Sequence, residues 1–557
     1  SSHNPANIGC SACHLGNPYK NKKVEAHENM VALPGNLAFS MATCGKPICH
    51  PQLSAHLQNS LMATGRGMVA KFRYVFGEAP NLSPHSHLSL LTHSIPDKYL
   101  RNLCASCHLN QQKIHFGPIT EKSRGGGCLA CHIYYSDKAL QELKGYFQKK
   151  RLPRTHPMLT ARVQDKACFG CHSRSSRISL SYEGWHELPQ DARPSHPSGP
   201  LFRILKDGRV LQKIQPDIHF ELGLSCIDCH TFREIMGDGK IYTHQLEQPK
   251  IQCIDCHSPQ KSPWIEGKNL SMLDKKVALL RGTFQSQRRF LKTKRGGYPI
   301  LGAFYNELGQ KVLQLRFSKR NLILKPYQAI CRGMISRHKR LSCESCHSGW
   351  APQCIQCHAS YNSDKKGWDH LLRKKVLGSW KEKGSLYLAE LPALGVVKRK
   401  NEEIILPFVP GMILSAEWKT REEKKKIFRR LYSPIFPHTS LKKGRSCKSC
   451  HQNPLALGFG RGKLILIKER KKWYWKFIPK FPPHPQDGMP IDSWIHPLTK
   501  EKKVYSTTFN SRPFTVEEQK RILRVGACLE CHPANSQNLK KIYTSFQKAL
   551  KHKHKFK

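Results

Sequence analysis

Apolar residues along this chain come in short clusters broken by turn formers, and no run approaches the roughly 18 residues that a membrane-spanning helix requires. The longest are pieces such as Leu464-Ile465-Leu466-Ile467. Leu201-Phe202-Arg203-Ile204-Leu205, an Asp207-Gly208 turn and then Val210-Leu211 predict a hairpin. Similar strand pairs are predicted at 311–325, around 386–406, and at 463–478, where the Leu/Ile run is followed by Trp473-Tyr474-Trp475. Helices are expected to be short. The clearest starts at Thr515, with Glu518 as a capping box and Ile522, Leu523 and Val525 on its apolar side. With 36 Pro and 38 Gly, much of the remainder reads as loop.

Composition changes this picture in one respect. Only 39% of the 557 residues are apolar, against roughly 45–50% in ordinary domains, so something other than aliphatic side chains is expected to fill the interior. Aromatic residues at 9% and 30 His do not suit a disordered chain. The start has no basic segment followed by an apolar one, and any export signal is read as already removed.

The cysteines supply the missing filler. C-x-x-C-H recurs at Cys10/Cys13/His14, Cys104/Cys107/His108, Cys128/Cys131/His132, Cys168/Cys171/His172, Cys226/Cys229/His230 and Cys253/Cys256/His257. It continues at Cys343/Cys346/His347, Cys354/Cys357/His358, Cys447/Cys450/His451 and Cys528/Cys531/His532, with a looser C-x-x-x-x-C-H at Cys44/Cys49/His50. These eleven motifs use 22 of the 23 Cys and leave only Cys331. Composition alone yields roughly 0.05 strict matches by chance. Two thiols a helical turn apart can each add to one vinyl group of a haem, and the next residue, His, then lies under the iron. Zinc ribbons and thioredoxin-type dithiols need no His after the second Cys, and a disulfide framework would vary its spacings.

On these motifs the chain resembles a multihaem cytochrome c of the periplasmic or extracellular electron-transfer type. The resemblance implies eleven covalent haem c groups. It also implies a fold of mostly irregular loops and short α-helices wrapped around a haem array, with small β-hairpin and sheet insertions. Haem attachment in this class takes place outside the cytoplasm, so the expected location is periplasmic, extracellular or at the cell surface.

The second axial ligand is sought among the other histidines. His3, His27, His93, His115, His156, His219, His244, His338 and His438 each precede a motif by 5 to 17 residues, His370 follows the Cys354 motif, and His496 is the nearest candidate for the Cys528 motif. This set reads as bis-histidine ligation at most or all irons, with low potentials. It leaves aside His56, His85, His87, His186, His196 and His484. Trp185/His186 and Trp368/His370 are candidates to line haem pockets, while His552 and His554 read as solvated. Cys331 is read first as a structural thiol.

Motif spacing divides the chain into residues 1–135 with four haems, 136–262 with three and a hairpin, and a haem-free β-rich insertion at 263–342. A closely spaced two-haem module follows at 343–380, then a haem-poor β-rich segment at 381–446, and a two-haem module with a β-insertion and basic tail at 447–557. Lys+Arg 92 against Asp+Glu 39 gives a formal charge of +53; eleven haems with ionised propionates lower this to roughly +42 oxidised and +31 reduced. Such a surface suits redox partners with acidic docking faces, or peripheral association with an anionic membrane or cell surface, with no specific nucleic acid. The expected role is an electron conduit, with filament-forming self-association through His3 or a tail His as an extension. The alternative is a catalytic multihaem oxidoreductase acting on a nitrogen or sulfur compound at one open-site haem. All eleven motifs end in His, so the Lys of similar nitrite-reducing cytochromes is missing.

Overall fold

A computed structural model describes residues 3–534 apart from 4, 83–84, 150, 174–178, 329–330, 332–337, 384–385, 400–401, 421–423, 470–471, 500–504 and 507–509. The tail carrying His552 and His554 lies outside the described residues. Short helices and turns carry the motifs through the first 260 residues, and sheets dominate from Trp264 to Pro479.

The hairpin expected near 201–211 forms from Phe202–Ile204 and Val210–Lys213, and a third strand, Trp185–Glu187, joins its edge. Next comes an antiparallel meander of five strands, Trp264–Glu266, Arg289–Lys292, Pro299–Tyr305, Lys311–Gln314 and Asn321–Ile323, side by side in chain order. Pro299–Tyr305 is central, and its residues 300–305 are all buried because both faces are covered. Phe290, Phe304 and Val312 pack with Ala278 of the helix Met272–Arg281 on one side. Leu291, Ala303 and Leu313 pack with Leu224 and Ile251 on the other, which seats the chain just ahead of the Cys226 and Cys253 motifs.

The strands around 386–406 belong to something larger than the small insertions expected. Glu402–Lys419 is long enough to pair along one half with Ala393–Arg399 and along the other with both Cys357–Asp369 and Lys424–Pro434, making the centre of a seven-stranded sheet. Alternating or near-continuous apolar stretches such as Val396-Val397 and Leu406 to Val409 explain why these segments extend and bury. Phe408, Tyr432 and Trp494 meet at ring separations of 4.7 and 4.3 Å. They share one core with Leu457, Phe459, Phe514 and Leu523, which runs across the expected boundary at 446/447.

The hairpin at 463–478 forms from Gly462–Glu469 and Lys472–Pro479, with Leu466 opposite Trp475. The helix Val516–Cys531 begins as expected, with Thr515 and Glu518 capping each other. Burial disfavours the Glu518 charge, but hydrogen bonds from Arg512 and Arg340 win and hold its carboxyl at about 2.

Candidate haem centres

In eight of the eleven motifs, helix encloses the second Cys and brings the two thiols onto one side of a turn. These are Cys10–His14, Leu129–His132, Lys166–His172, Cys226–Cys229, Cys253–His257, Cys343–His347, Lys448–His451 and the end of Val516–Cys531. The Cys104 motif is a run of turns after the helix Ile95–Leu103. The longer Cys44 motif curls back on itself, the His50 N–H donating to the Cys44 carbonyl at 2.9 Å. Cys354 and Cys357 depart from this pattern: they lie on the strands Ala351–Ile355 and Cys357–Asp369, joined at Gln356 with φ of 64°. The expected two-haem module at 343–380 therefore pairs a helical motif with a strand motif. The flanks explain it, since Ala351 and Ile355 are fully buried on the first strand and Cys357, Ala359 and Tyr361 alternate into a buried aromatic layer on the second.

None of the 23 cysteines, all of them described, forms a disulfide. Their motifs nevertheless adjoin in a continuous order. Cys13 lies within electrostatic reach of Cys44 and Cys49, and Cys44 is hydrogen-bonded to Cys128. Cys131 is near Cys168, Cys168 is hydrogen-bonded to Cys226, Cys229 is near Cys256, and Cys253 is hydrogen-bonded to Cys343. Cys346 is near Cys450 and also near Cys331. The final join is backbone contact: the ring of His451 bonds the Ile522 carbonyl at 2.9 Å. Gly526 permits this approach, because a Cβ there would stand 2.3 Å from the His451 carbonyl oxygen. Cys107 branches from this line through a hydrogen bond with Cys171. The strand motif hangs from that branch through Tyr99, whose hydroxyl is 3.9 Å from Cys357 Sγ.

The histidines assemble in pairs. His3 faces His50 at 5.8 Å between ring centres, His14 faces His156 at 5.9 Å, and His219 faces His257 at 6.2 Å. His230 faces His438 at 6.0 Å and His338 faces His451 at 6.1 Å. Each pair joins one motif His to one predicted distal His. A metal–nitrogen bond of about 2 Å and roughly 1.1 Å from ring nitrogen to ring centre would put two imidazoles about 6.2 Å apart across one metal. In none of the five does the distal His serve the motif that follows it in sequence: His438, for example, passes over His451 to reach His230. His3 is engaged within its own chain.

Ring hydrogen bonds orient these groups. His14, His132, His257 and His347 each place Nδ1 2.8 Å from a backbone carbonyl, of Val31, Thr160, Lys325 and Leu441. His156 and His438 do the same at 2.6 and 2.7 Å. An Nδ1–H donated this way leaves Nε2 as the lone-pair donor. Burial, with the charge of nearby His230 adding to it, lowers His438 to about 4, and burial lowers His108 to about 4, so both stay in the neutral form that binds a metal.

The residues fit a haem in two further respects. His108 Nε2 is buried and has no hydrogen-bond partner among the described residues. Buried basic nitrogens also lack hydrogen-bond partners among the described residues, notably Arg445 Nε and Nη1 next to the Cys346 motif and Lys71 Nζ near His244, which burial lowers to about 7; propionates would supply the missing partners.

His496, the nearest candidate in sequence for the last motif, is placed near the opposite end of a helix from His532. His532 stands half-buried just past the end of the helix Val516–Cys531, its N–H donating to the Cys528 carbonyl at 2.9 Å. His496 lies exposed near the other end of that helix, because the Leu498 N–H is fixed on Gln519 Oε1 at 2.9 Å. At 1.5 Å per residue, the helix puts about 20 Å between Gln519 and His532.

The other predicted ligands stand apart from these pairs. Among the described residues His27, His93, His115, His244 and His496 make no ring contact with a motif His, and all but His244 are exposed. His244 is half-buried, and its Nδ1 accepts the Leu246 N–H at 3.2 Å. The backbone of His370 bonds Arg101 and Gln111, on the flanks of the Cys104 motif and away from its own Cys354 motif. Counting set aside two histidines that the structure brings forward. His87 lies within electrostatic reach of His108, and His186 is buried, 6.1 Å from the Trp350 ring. His186 lies on the strand Trp185–Glu187, where Glu187 is buried too, so alternation alone would not have marked it. Among the described residues no helix is long and apolar enough to cross a membrane. No protein-family model, curated protein or solved structure matches this chain.

Proposed function

We propose that this chain is an exported multi-electron conduit with eleven covalently bound c-type haems, mostly or all ligated by two histidines. Its role in this reading is to pass electrons between exported redox partners or to an extracellular acceptor. Each haem, when bound, supplies an iron that cycles between ferric and ferrous states. The supporting observation is the set of five crossed histidine pairs, at 5.8–6.2 Å, on a line of adjoining motifs. Motif cysteines would tether the haems, the paired imidazoles would hold the iron at the five paired sites and close them to a substrate, and Arg445 would meet propionate charge. The lysine-rich surface favours acidic partners.

One observation favours the catalytic alternative at a single centre. His358 of the strand motif has Nε2 3.4 Å from Glu417 Oε1, a carboxylate where the five pairs have a second imidazole. The test is electron paramagnetic resonance of the fully oxidised protein, with spins counted against haem content. The conduit predicts low-spin ferric iron throughout, with distinct anisotropies from near-parallel pairs (23° and 24°) and a near-perpendicular one (86°). A high-spin ferric component of about one iron per chain would replace the conduit with the oxidoreductase reading.

A further inference from the structure

One motif histidine is held differently from its peers. His14, His132, His257, His347 and His451 rest Nδ1 on neutral backbone carbonyls at 2.8–2.9 Å, whereas His230 Nδ1 lies 2.6 Å from Glu234 Oε1. Glu234 is set in place by its own helix. Thr231 caps the turn Phe232–Ile235 and takes the Glu234 N–H, which points the carboxylate back at the residue four positions earlier. Its side chain is 8% exposed. The other donor to it among the described residues is the Lys250 N–H, at 3.4 Å to Oε2. The charges nearby are spent elsewhere, Lys250 Nζ on Asp238 and Arg233 on Asp274. Among the described residues the His230 ring is thus the one basic group paired with the Glu234 carboxylate.

A carboxylate that accepts the Nδ1–H of a ligating histidine makes that ligand more basic, and a more basic ligand favours ferric over ferrous iron. We propose that Glu234 is a positioning residue that lowers the reduction potential of the centre held by His230 and His438 below that of centres backed by carbonyls. That centre stands midway along the line of motifs, so those before and after it would fill with electrons as two pools. The inference rests on the conduit reading and goes beyond it in assigning a low step to one place.

The test is a redox titration of the intact haem-loaded protein, followed by paramagnetic resonance. The His230/His438 component is identified by its loss in a His438→Gln variant. Glu234→Gln keeps an acceptor at the ring but removes the charge. Outer-shell partners are commonly worth about tenfold or more, and a tenfold loss of ferric preference raises a one-electron midpoint by about 59 mV. That rise is expected in this component alone. Asp217→Asn, at the carboxylate-backed His219, 2.9 Å away, is expected to move the His219/His257 component most, with a smaller effect at His438, which Asp217 also reaches electrostatically. An unchanged midpoint in Glu234→Gln, with haem content intact, overturns the inference. If that variant loses haem, the unaltered protein still decides: its His230/His438 component must titrate below the component of the carbonyl-backed His14/His156 pair, and the reverse order overturns the inference. A protein without covalent haem overturns the conduit reading instead.

Discussion

Two motifs separated by six residues take opposite shapes, and the contrast shows what the motif does and does not dictate. Cys343–His347 is a helical turn capped by Ser342, whose Oγ accepts the Ser345 N–H at 3.2 Å. Ser345 Oγ anchors the turn to the Ile405 carbonyl at 2.9 Å. Its two cysteines face outward to neighbours on either side, Cys253 and Cys450. Cys354/Cys357/His358 instead extends across two strands, with Cys354 opposite Tyr387 and the Cys357 thiol 2.9 Å from Glu382. The spacing is the same, so the flanks decide: a Ser-x-x-Ser cap winds the first, and a period-two apolar pattern against Trp380 and Trp418 stretches the second.

The strongest way to break this comparison is to delete each motif's thiols. Cys343→Ala/Cys346→Ala is expected to lose one haem of eleven by haem assay and most of the end-to-end electron transfer in stopped-flow reduction, because it cuts the line between the Cys253 and Cys447 motifs. Cys354→Ala/Cys357→Ala should lose one haem and leave that rate nearly intact, since the strand motif hangs from a branch. Equal rate losses would mean that the strand motif belongs to the main path. Next in size, Trp380→Ala removes a ring packed 5.1 Å from Tyr99 and 5.4 Å from Tyr361. A cost of about 3–5 kcal/mol in denaturant unfolding is expected, with the low-spin signals of the helical motifs retained.

A pH dependence sharpens the same contrast. His186 stands beside the strand motif, its ring bonded to the Tyr387 backbone, and burial lowers it from 6.5 to about 4. A histidine depressed in the folded state adds a protonation penalty only where the unfolded chain binds the proton and the fold does not. Stability from this group is therefore complete above about pH 6.5 and falls as pH drops toward 4, by about 2–3 kcal/mol. His186→Gln should flatten that slope in melting curves taken across this range; an unchanged slope would place the titration elsewhere. The smallest effect belongs to the helical side. Ser342→Ala loses one cap, about 1 kcal/mol, and should lower the melting temperature slightly with no change in haem count.

The hairpins at 202–213 and 462–479 and the helix after Thr515 were legible because turn residues, alternation and a capping box act over a few residues. The seven-stranded sheet was not. Glu402–Lys419 pairs with three other strands, and nothing in its own eighteen residues names Cys357–Asp369 as its parallel neighbour. His186, read as lining a pocket, and His87 were left out of the ligand set for a related reason, because counting candidates says how many ligands are needed and not which side chains face inward.

The sequence by itself determined which 22 cysteines and which eleven adjacent histidines form motifs, since those residues are neighbours along the chain. Only the tertiary structure decided which distal histidine meets which motif. His14 and His156, or His230 and His438, are separated by long stretches of chain, and such contacts form when sheets, caps and buried ion pairs have already set the path of the backbone between them.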